Sequence, residues 1–520
     1  MRLIYKQLME DSVTTIAAID VGSNSIRMNL AQVESSGKFE SIGQYNKSVR
    51  LGQDTFCSDR ISNDSMRTSV AIFRDYKKIL EKYKVQVVRC VATTAVREAI
   101  NADVFQDRIY NACGIQVEIL DPSEESHLIL SAVINSLSDK SLLEKGRVLL
   151  VEVGGGNTLL TVLQNGKLVN AVSVNTGTVR LREQYQSVEM LPRQYLQRLE
   201  AHIDTVMFTS INALHLGSID RIIAVSGGLI PIAQLVVGGE SAKSLKVLEA
   251  KSIEKFIEHF SDKSELELSR DYQIPFEEAQ RIVPACTIFR YLLRQTDLKK
   301  MHLCSAKMID GLVKNMALNI AGMEDESWSA GVIDSARALG EKFLVDLDYS
   351  SRLADCAVNL FDLFKDLSGL TPRHRLMLYA AGLLHEAGYF LAARAHHKHT
   401  YYLIANSDIF GLSRLDIDIV AQTARYYRKS PPKPTHEYYM ALPREQRAIV
   451  SKLSAFLRVA DAVMQGVGSD LSGIDLIRDN DNLIVQCSSG VDPILMKKLL
   501  SVQGRLFEDL YGVSIVPEEK

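Results

Sequence analysis

Along the first 120 residues, short apolar runs alternate with longer amphipathic stretches. Ile16–Ile19 and Met28–Val33 read as strands on either side of a turn, while Ser62–Tyr83 sets Met66, Val70, Phe73, Ile79 and Leu80 broadly at helical spacing. Val85–Ala92 is a short buried strand, followed by Thr93-Thr94 and a helix through Arg97, and Val117–Leu120 is a further strand. Asp121-Pro122-Ser123-Glu124 then predicts a helix start, with aspartate as N-cap, proline at the first position and glutamate at the third. A second strand–turn–strand unit begins near Arg147 and the pattern continues to Met323, with helices dominating after Pro275. Glu324-Asp325-Glu326-Ser327 reads as a polar linker. Beyond it the pattern is almost wholly helical to about Gly466, including Ser335–Phe343 and Leu353–Leu367. Leu483–Cys487 and Pro493–Leu500 predict a small αβ closing segment.

Two of these units share one design. Ile16-Ala17-Ala18-Ile19-Asp20-Val21-Gly22-Ser23-Asn24-Ser25 and Val148-Leu149-Leu150-Val151-Glu152-Val153-Gly154-Gly155-Gly156-Asn157-Thr158 each run from an apolar strand through an acid into a small-residue turn. Backbone N–H groups without a crowding Cβ bind phosphate oxygens well. The neighbouring acid would repel phosphate unless a divalent cation or a polarised water stood between them. A single such turn is ordinary; two matched copies point to related lobes closing on a phosphate. Val225-Ser226-Gly227-Gly228 is a further strand-to-turn that reads equally as a tight loop or a phosphate contact.

Composition narrows the class. A 520-residue chain with 46% hydrophobic and 24% charged residues is an ordinary globular protein of two to four domains. Its net charge of −3 gives no whole-chain case for DNA or membrane binding. Seven scattered cysteines without a Cys-x-x-Cys pair read as reduced thiols. No apolar run reaches the length of a membrane span, and residues 1–12 are too polar for a signal peptide. A cytoplasmic protein is expected.

Taken in order, several segments resemble the exopolyphosphatase and guanosine pentaphosphate phosphohydrolase (Ppx/GppA) family. These are Ala18–Ser25, Val49-Arg50-Leu51-Gly52, Ala92–Ala99, Glu124-Glu125 leading a helix, Gly154-Gly155-Gly156, and Thr176-Gly177-Thr178-Val179-Arg180-Leu181. The resemblance implies an α/β fold of two ribonuclease-H-like lobes (the actin/Hsp70/sugar-kinase superfold), residues 1–124 and 125–323. An all-helical HD-like domain over 328–466 and an αβ tail over 467–520 would follow. It also implies roles. Asp20 and Glu152 would hold Mg²⁺ or water. Ser23, Asn24, Ser25 and Gly154, Gly155, Gly156, Asn157 and Thr158 would cradle phosphate, and Arg97 would clamp it. Glu125 would be the general base. The residues alone leave other readings open: Glu124 and Glu125 suit any helix N-terminus, Arg97 suits a surface helix, and Asp20 suits a turn.

The chain departs from the family pattern in two places. The second glycine motif, usually Asp-x-Gly-Gly-Gly-Ser-Thr-Glu, reads Glu152 to Leu159 here, with Glu152 for Asp, Asn157 for Ser and Leu159 for the closing Glu. In the helical part, the His-Asp metal pair reads His385-Glu386, and no histidine stands near Ser351-Arg352. A di-metal centre needs more ligands than remain. His396, His397 and His399, with Arg394, Lys398, Arg425, Arg428 and Lys429, are expected to form a basic surface for polyphosphate or for a dimer, unless they are a plain solvated helix face.

The function expected is release of terminal phosphate from inorganic polyphosphate or guanosine pentaphosphate, by a homodimer. A non-hydrolytic phosphate-binding or sensory protein is the alternative that Leu159 favours. An ATP-dependent kinase on the same superfold is the other, supported faintly by Ser226-Gly227-Gly228.

Overall fold

The computed structural model describes residues 13–185, 190–214, 216–229, 246–428, 430–467, 474–488 and 491–519. The chain divides into two compact units, residues 1–328 and 329–520.

The first unit holds two sheets. One contains β1 (Thr14–Val21), β2 (Ser25–Val33), β3 (Phe39–Ser48), β4 (Val87–Ala92) and β5 (Val117–Ile119), in the order β3-β2-β1-β4-β5. The other contains β6 (Arg147–Val153), β7 (Thr158–Gln164), β8 (Lys167–Val174), β9 (Arg221–Val225), β10 (Lys246–Glu249) and β11 (Lys300–Cys304), in the order β10-β11-β9-β6-β7-β8. In both, a central strand runs antiparallel to the next strand in sequence and parallel to a later one: β1 to β2 and β4, β6 to β7 and β9. This is the expected pair of ribonuclease-H-like lobes. β3, β10 and β11 were not legible in the apolar pattern: β3 is polar and mostly exposed, and β11 follows a long helix that dominates its surroundings.

The predicted helix starts hold. Ser62 caps Asn63–Lys82 by accepting from the Ser65 amide at 3.1 Å. Asp121 and Glu124 form the capping box of Pro122–Ser136, with the proline in the first turn. β1 is buried on both faces, as a central strand must be. Ala17, Ile19 and Val21 face one core with Phe73 and Tyr76; Ile16 and Ala18 face another with Leu128, Leu312 and Met316. Asp20 therefore ends the face that the helices Pro122–Ser136 and Met308–Ile320 cover. Met308–Ile320, assigned from the sequence to the second lobe, packs on the first sheet. The second sheet buries Leu149, Val151 and Val153 against the helices Pro192–Leu214 and Phe276–Thr296, leaving Glu152 on the opposite face.

The segment 324–327 is not a simple linker. Asp325 is buried, pairs with His127 at 3.4 Å, and accepts from the Ser327 and Trp328 amides to start the helix Glu326–Lys342.

The second unit is helical, with Arg444–Val467 running through its core. It closes with a three-stranded sheet of β12 (Ile474–Asp479), β13 (Asn482–Cys487) and β14 (Ser514–Glu519) and the helix Pro493–Gln503. Phe507 fixes this tail by packing on Phe364 and Phe456. Of the histidines expected on a common surface, His397 and His399 are half-buried and His396 turns inward. His396 is buried, stacked on Tyr389, with Nε2 paired to the Tyr427 hydroxyl at 2.8 Å. His385 is wholly buried, its Nδ1 on the Gly382 carbonyl at 2.7 Å, and burial pushes its pKa down to about 4. Both are core histidines, leaving Arg394, Lys398 and Arg428 exposed; Lys429 lies outside the described residues. Among the described residues no helix is long and apolar enough to cross a membrane.

Candidate active site

The two glycine-rich turns face one another across a cleft of about 170 Å³. Asp20 stands at the end of β1 and Glu152 at the end of β6, and both line it, with Ser23, Asn24 and Ser25 from the first turn. The first turn is braced from behind, because the Ser23 and Asn24 carbonyls accept from the Gly52 and Val49 amides at 2.7 and 3.1 Å. Gly154, Gly155, Gly156 and Asn157 line the same cleft from the second turn. Close contact between the turns is what demands glycine there. A Cβ at Gly155 would lie 2.8 Å from the Ser23 Cβ, and one at Gly156 would lie 2.7 Å from both Phe56 and Thr94. Arg180 clamps the join: its Nε donates to the Gly156 carbonyl at 2.7 Å, a terminal nitrogen meets Glu98 at 2.6 Å, and the guanidinium lies over Phe56.

Glu125 enters the cleft from the first turn of Pro122–Ser136 and is 5% exposed. Arg97 does not stand free beside it as a phosphate clamp. Its guanidinium is committed to the Glu125 carboxylate and to the Leu120 carbonyl, with another nitrogen donating to Thr94 Oγ1 at 3.1 Å. Thr158 also points away from any ligand, since it is wholly buried and donates to the Thr176 carbonyl. Asn157 is buried, and its carboxamide is held by Thr94 and Ser173 at 3.1 Å each.

Register across the hairpins shows what the second lobe has lost. Asp20 pairs in the ladder with Arg27, and Glu152 pairs at the matching position with Leu159. Arg27 meets Asp20 at 3.4 Å, whereas Glu152 faces a leucine that is 2% exposed and lines the cleft. The electrostatics follow. Burial raises the Asp20 pKa, opposed by Arg27. Burial likewise raises Glu125, opposed chiefly by Arg97 and raised further by Asp20. Glu152 is pushed up to about 8, first by burial and then by Glu125 and Asp20.

The folded protein thus keeps a proton on Glu152 up to about pH 8, which the unfolded chain releases near 4.5. Across that window the folded state binds more protons, so stability falls as pH rises. Glu152→Gln is therefore expected to melt roughly 5 °C above the wild type at pH 8.5 and to match it at pH 4.5, each pKa unit being worth ~1.4 kcal/mol. Parallel melting curves for the two proteins across this range, in metal-free buffer, would contradict that assignment.

Three cations were missed in the sequence. Arg27, Arg281 and Lys307 all line the cleft. Arg27 was legible in principle, since it lies directly opposite Asp20 once the hairpin register is drawn. Arg281, on Phe276–Thr296, had no local signal. It is held below its usual pKa by burial and by Arg27, and its Nε donates to the Glu277 carbonyl at 3.1 Å. Ser226 lines the cleft too, with a buried hydroxyl that has no hydrogen-bond partner among the described residues.

Paired lobes of this topology around a cleft of acids, cations and small-residue turns define a phosphate-handling protein of the ribonuclease-H-like class. Residues 31–320 match the Ppx/GppA phosphatase family, and residues 333–483 match Ppx/GppA phosphatase domain III. The chain belongs to the Ppx/GppA phosphatase family. Among solved structures it is similar to an exopolyphosphatase from Cytophaga hutchinsonii, at 18% identity and TM-score 0.54, covering 60% of this chain and 99% of that one. An exopolyphosphatase-like protein matches at 22% identity and TM-score 0.53, covering 58% and 98%. A family member from Aquifex aeolicus matches at 25% identity and TM-score 0.49, covering 59% and 99%.

Proposed function

We propose that this phosphatase hydrolyses the terminal phosphate of a polyanion, inorganic polyphosphate or guanosine pentaphosphate, with Glu125 as general base. The observation that carries the reading is one cleft in which a buried carboxylate, two small-residue turns and the cations Arg27, Arg281 and Lys307 converge. A water attacks the terminal phosphorus in line and gives its proton to Glu125. The bridging P–O bond breaks, and the shortened chain leaves with that oxygen's electron pair.

Among the described residues, no group of three or more His, Cys, Asp or Glu side chains could hold a metal ion by itself. Mg²⁺, however, usually binds through one or two carboxylates together with substrate phosphates and waters. Asp20 and Glu152 fit that demand, because both are carboxylates whose burial disfavours unbalanced negative charge. Such a cation would neutralise charge on the phosphoryl oxygens. The turns then orient the terminal group, and Arg27 and Arg281 hold the phosphates behind it.

The experiment is phosphate release from long-chain polyphosphate and from guanosine pentaphosphate, each with and without Mg²⁺. Arg281→Ala is expected to raise KM roughly 10-fold on the better substrate, the scale of a lost hydrogen bond to a charged group, with kcat changed far less. An unchanged KM would remove Arg281 from substrate binding. A second reading, a phosphate-binding protein without turnover, is favoured by Leu159 in the ladder position facing Glu152. Tight binding of either polyanion with no release would select it.

A further inference from the structure

Asn157 is where this chain replaces the serine of the family motif, and its contacts belong to a hydrogen-bonded circuit that includes Arg97. Arg97 donates through one terminal nitrogen to Thr94 Oγ1 at 3.1 Å and through the other to Glu125. The Thr94 hydroxyl donates to Asn157 Oδ1 at 3.1 Å. The Asn157 amide nitrogen donates to Ser173 Oγ at 3.1 Å. Two arms thus leave Arg97, one to the Glu125 carboxylate and one through Thr94 to Asn157 and Ser173, so Asn157 bears on Glu125 through Thr94 and Arg97. A serine at 157 has a shorter arm than the carboxamide, whose two ends span Thr94 and Ser173.

The circuit also crosses the cleft. Thr94 and Arg97 follow β4 of the first sheet, while Asn157 lies in the turn between β6 and β7 of the second. Gly156, beside it, is pressed against Thr94 and Phe56. Asn157 can reach Thr94 only while the second turn lies against the Thr94–Arg97 segment.

We infer that Asn157 is a positioning residue that ties the readiness of Glu125 to lobe closure, rather than a phosphate ligand. The inference rests on Glu125 being the base. The charged groups facing Glu125 are Arg97, Asp20 and Glu152, and all stay in place in the variants below.

The test measures phosphate release against pH for wild type, Asn157→Ala, Thr94→Val, the double variant and Glu125→Gln. Asn157→Ala is expected to lower kcat roughly 10-fold, leave KM within about threefold, and move the acid limb of the kcat profile to higher pH. Thr94→Val, which cuts the circuit from the other lobe, should do the same, and the double variant should be no worse than either single. The same non-additivity should appear in melting temperature, a readout that needs no turnover. Additive effects in melting, an unmoved acid limb, or a loss confined to KM would overturn the inference. Loss of activity in Glu125→Gln with an unmoved acid limb in Asn157→Ala defeats this inference alone. Full activity in Glu125→Gln defeats it together with the base assignment.

Discussion

Glu125→Gln is expected to lower kcat by about 10²–10⁴-fold, with a much smaller change in KM. The substitution keeps the shape of the side chain and its place in the first turn of Pro122–Ser136, but removes the carboxylate proposed to take the water's proton. It is a loss in the transition state, so kcat and kcat/KM should fall together. Burial holds the Glu125 pKa above its ordinary value of 4.5, with Arg97 opposing. The wild-type acid limb should therefore lie above that value and vanish from whatever activity the variant retains. Steady-state phosphate release across pH measures both. A variant within tenfold of the wild type would mean that another group accepts the proton.

Asp325→Ala is expected to destabilise the first unit by about 3–5 kcal/mol, since it breaks a buried Asp–His pair and removes the cap of the helix Glu326–Lys342. Both side chains are under a tenth exposed and meet at 3.4 Å. Burial alone would raise the Asp325 pKa, but the hydrogen bond and charge of His127 outweigh it and hold the carboxyl far below its usual 3.8. A depressed carboxyl contributes stability above its unfolded value and loses it as pH falls. The difference between wild type and variant should accordingly shrink below about pH 4. Asp325→Asn with His127→Met, which keeps the helix cap and removes the buried polar pair, should recover most of the loss. Denaturant unfolding at pH 7 and pH 3.5 reads these effects; a difference below 1 kcal/mol at pH 7 would show that the pair contributes little.

Much of this protein was legible before any coordinates. Local rules placed the helix starts at Ser62 and Asp121, because N-caps satisfy their own helix ends within three residues. They also placed Asp20 and Glu152 at the ends of apolar strands. The matched turns carried the two-lobed fold, and the ordered family segments carried Glu125. What they could not show is which polar groups are already occupied. Arg97 resembles a phosphate clamp in sequence, yet in the fold its guanidinium serves Glu125, and Thr158 serves the Thr176 carbonyl. His396 sits among cations in the chain but turns inward to Tyr427, because a helix alternates its faces every few residues.

Long-range partners were decided by tertiary structure alone. Arg281 reaches the cleft from a helix about 250 residues beyond Asp20, and Asp325 finds His127 across nearly 200. Such pairings follow from which faces of which sheets are covered, a property of the whole packed core. The sequence by itself determined the elements, their caps and the two acid-bearing turns, since those depend on neighbours a few residues away. Only the closed fold decided that Asn157 meets Thr94 and that Leu159 faces Glu152, because those contacts exist only when the strands are in register and the lobes touch.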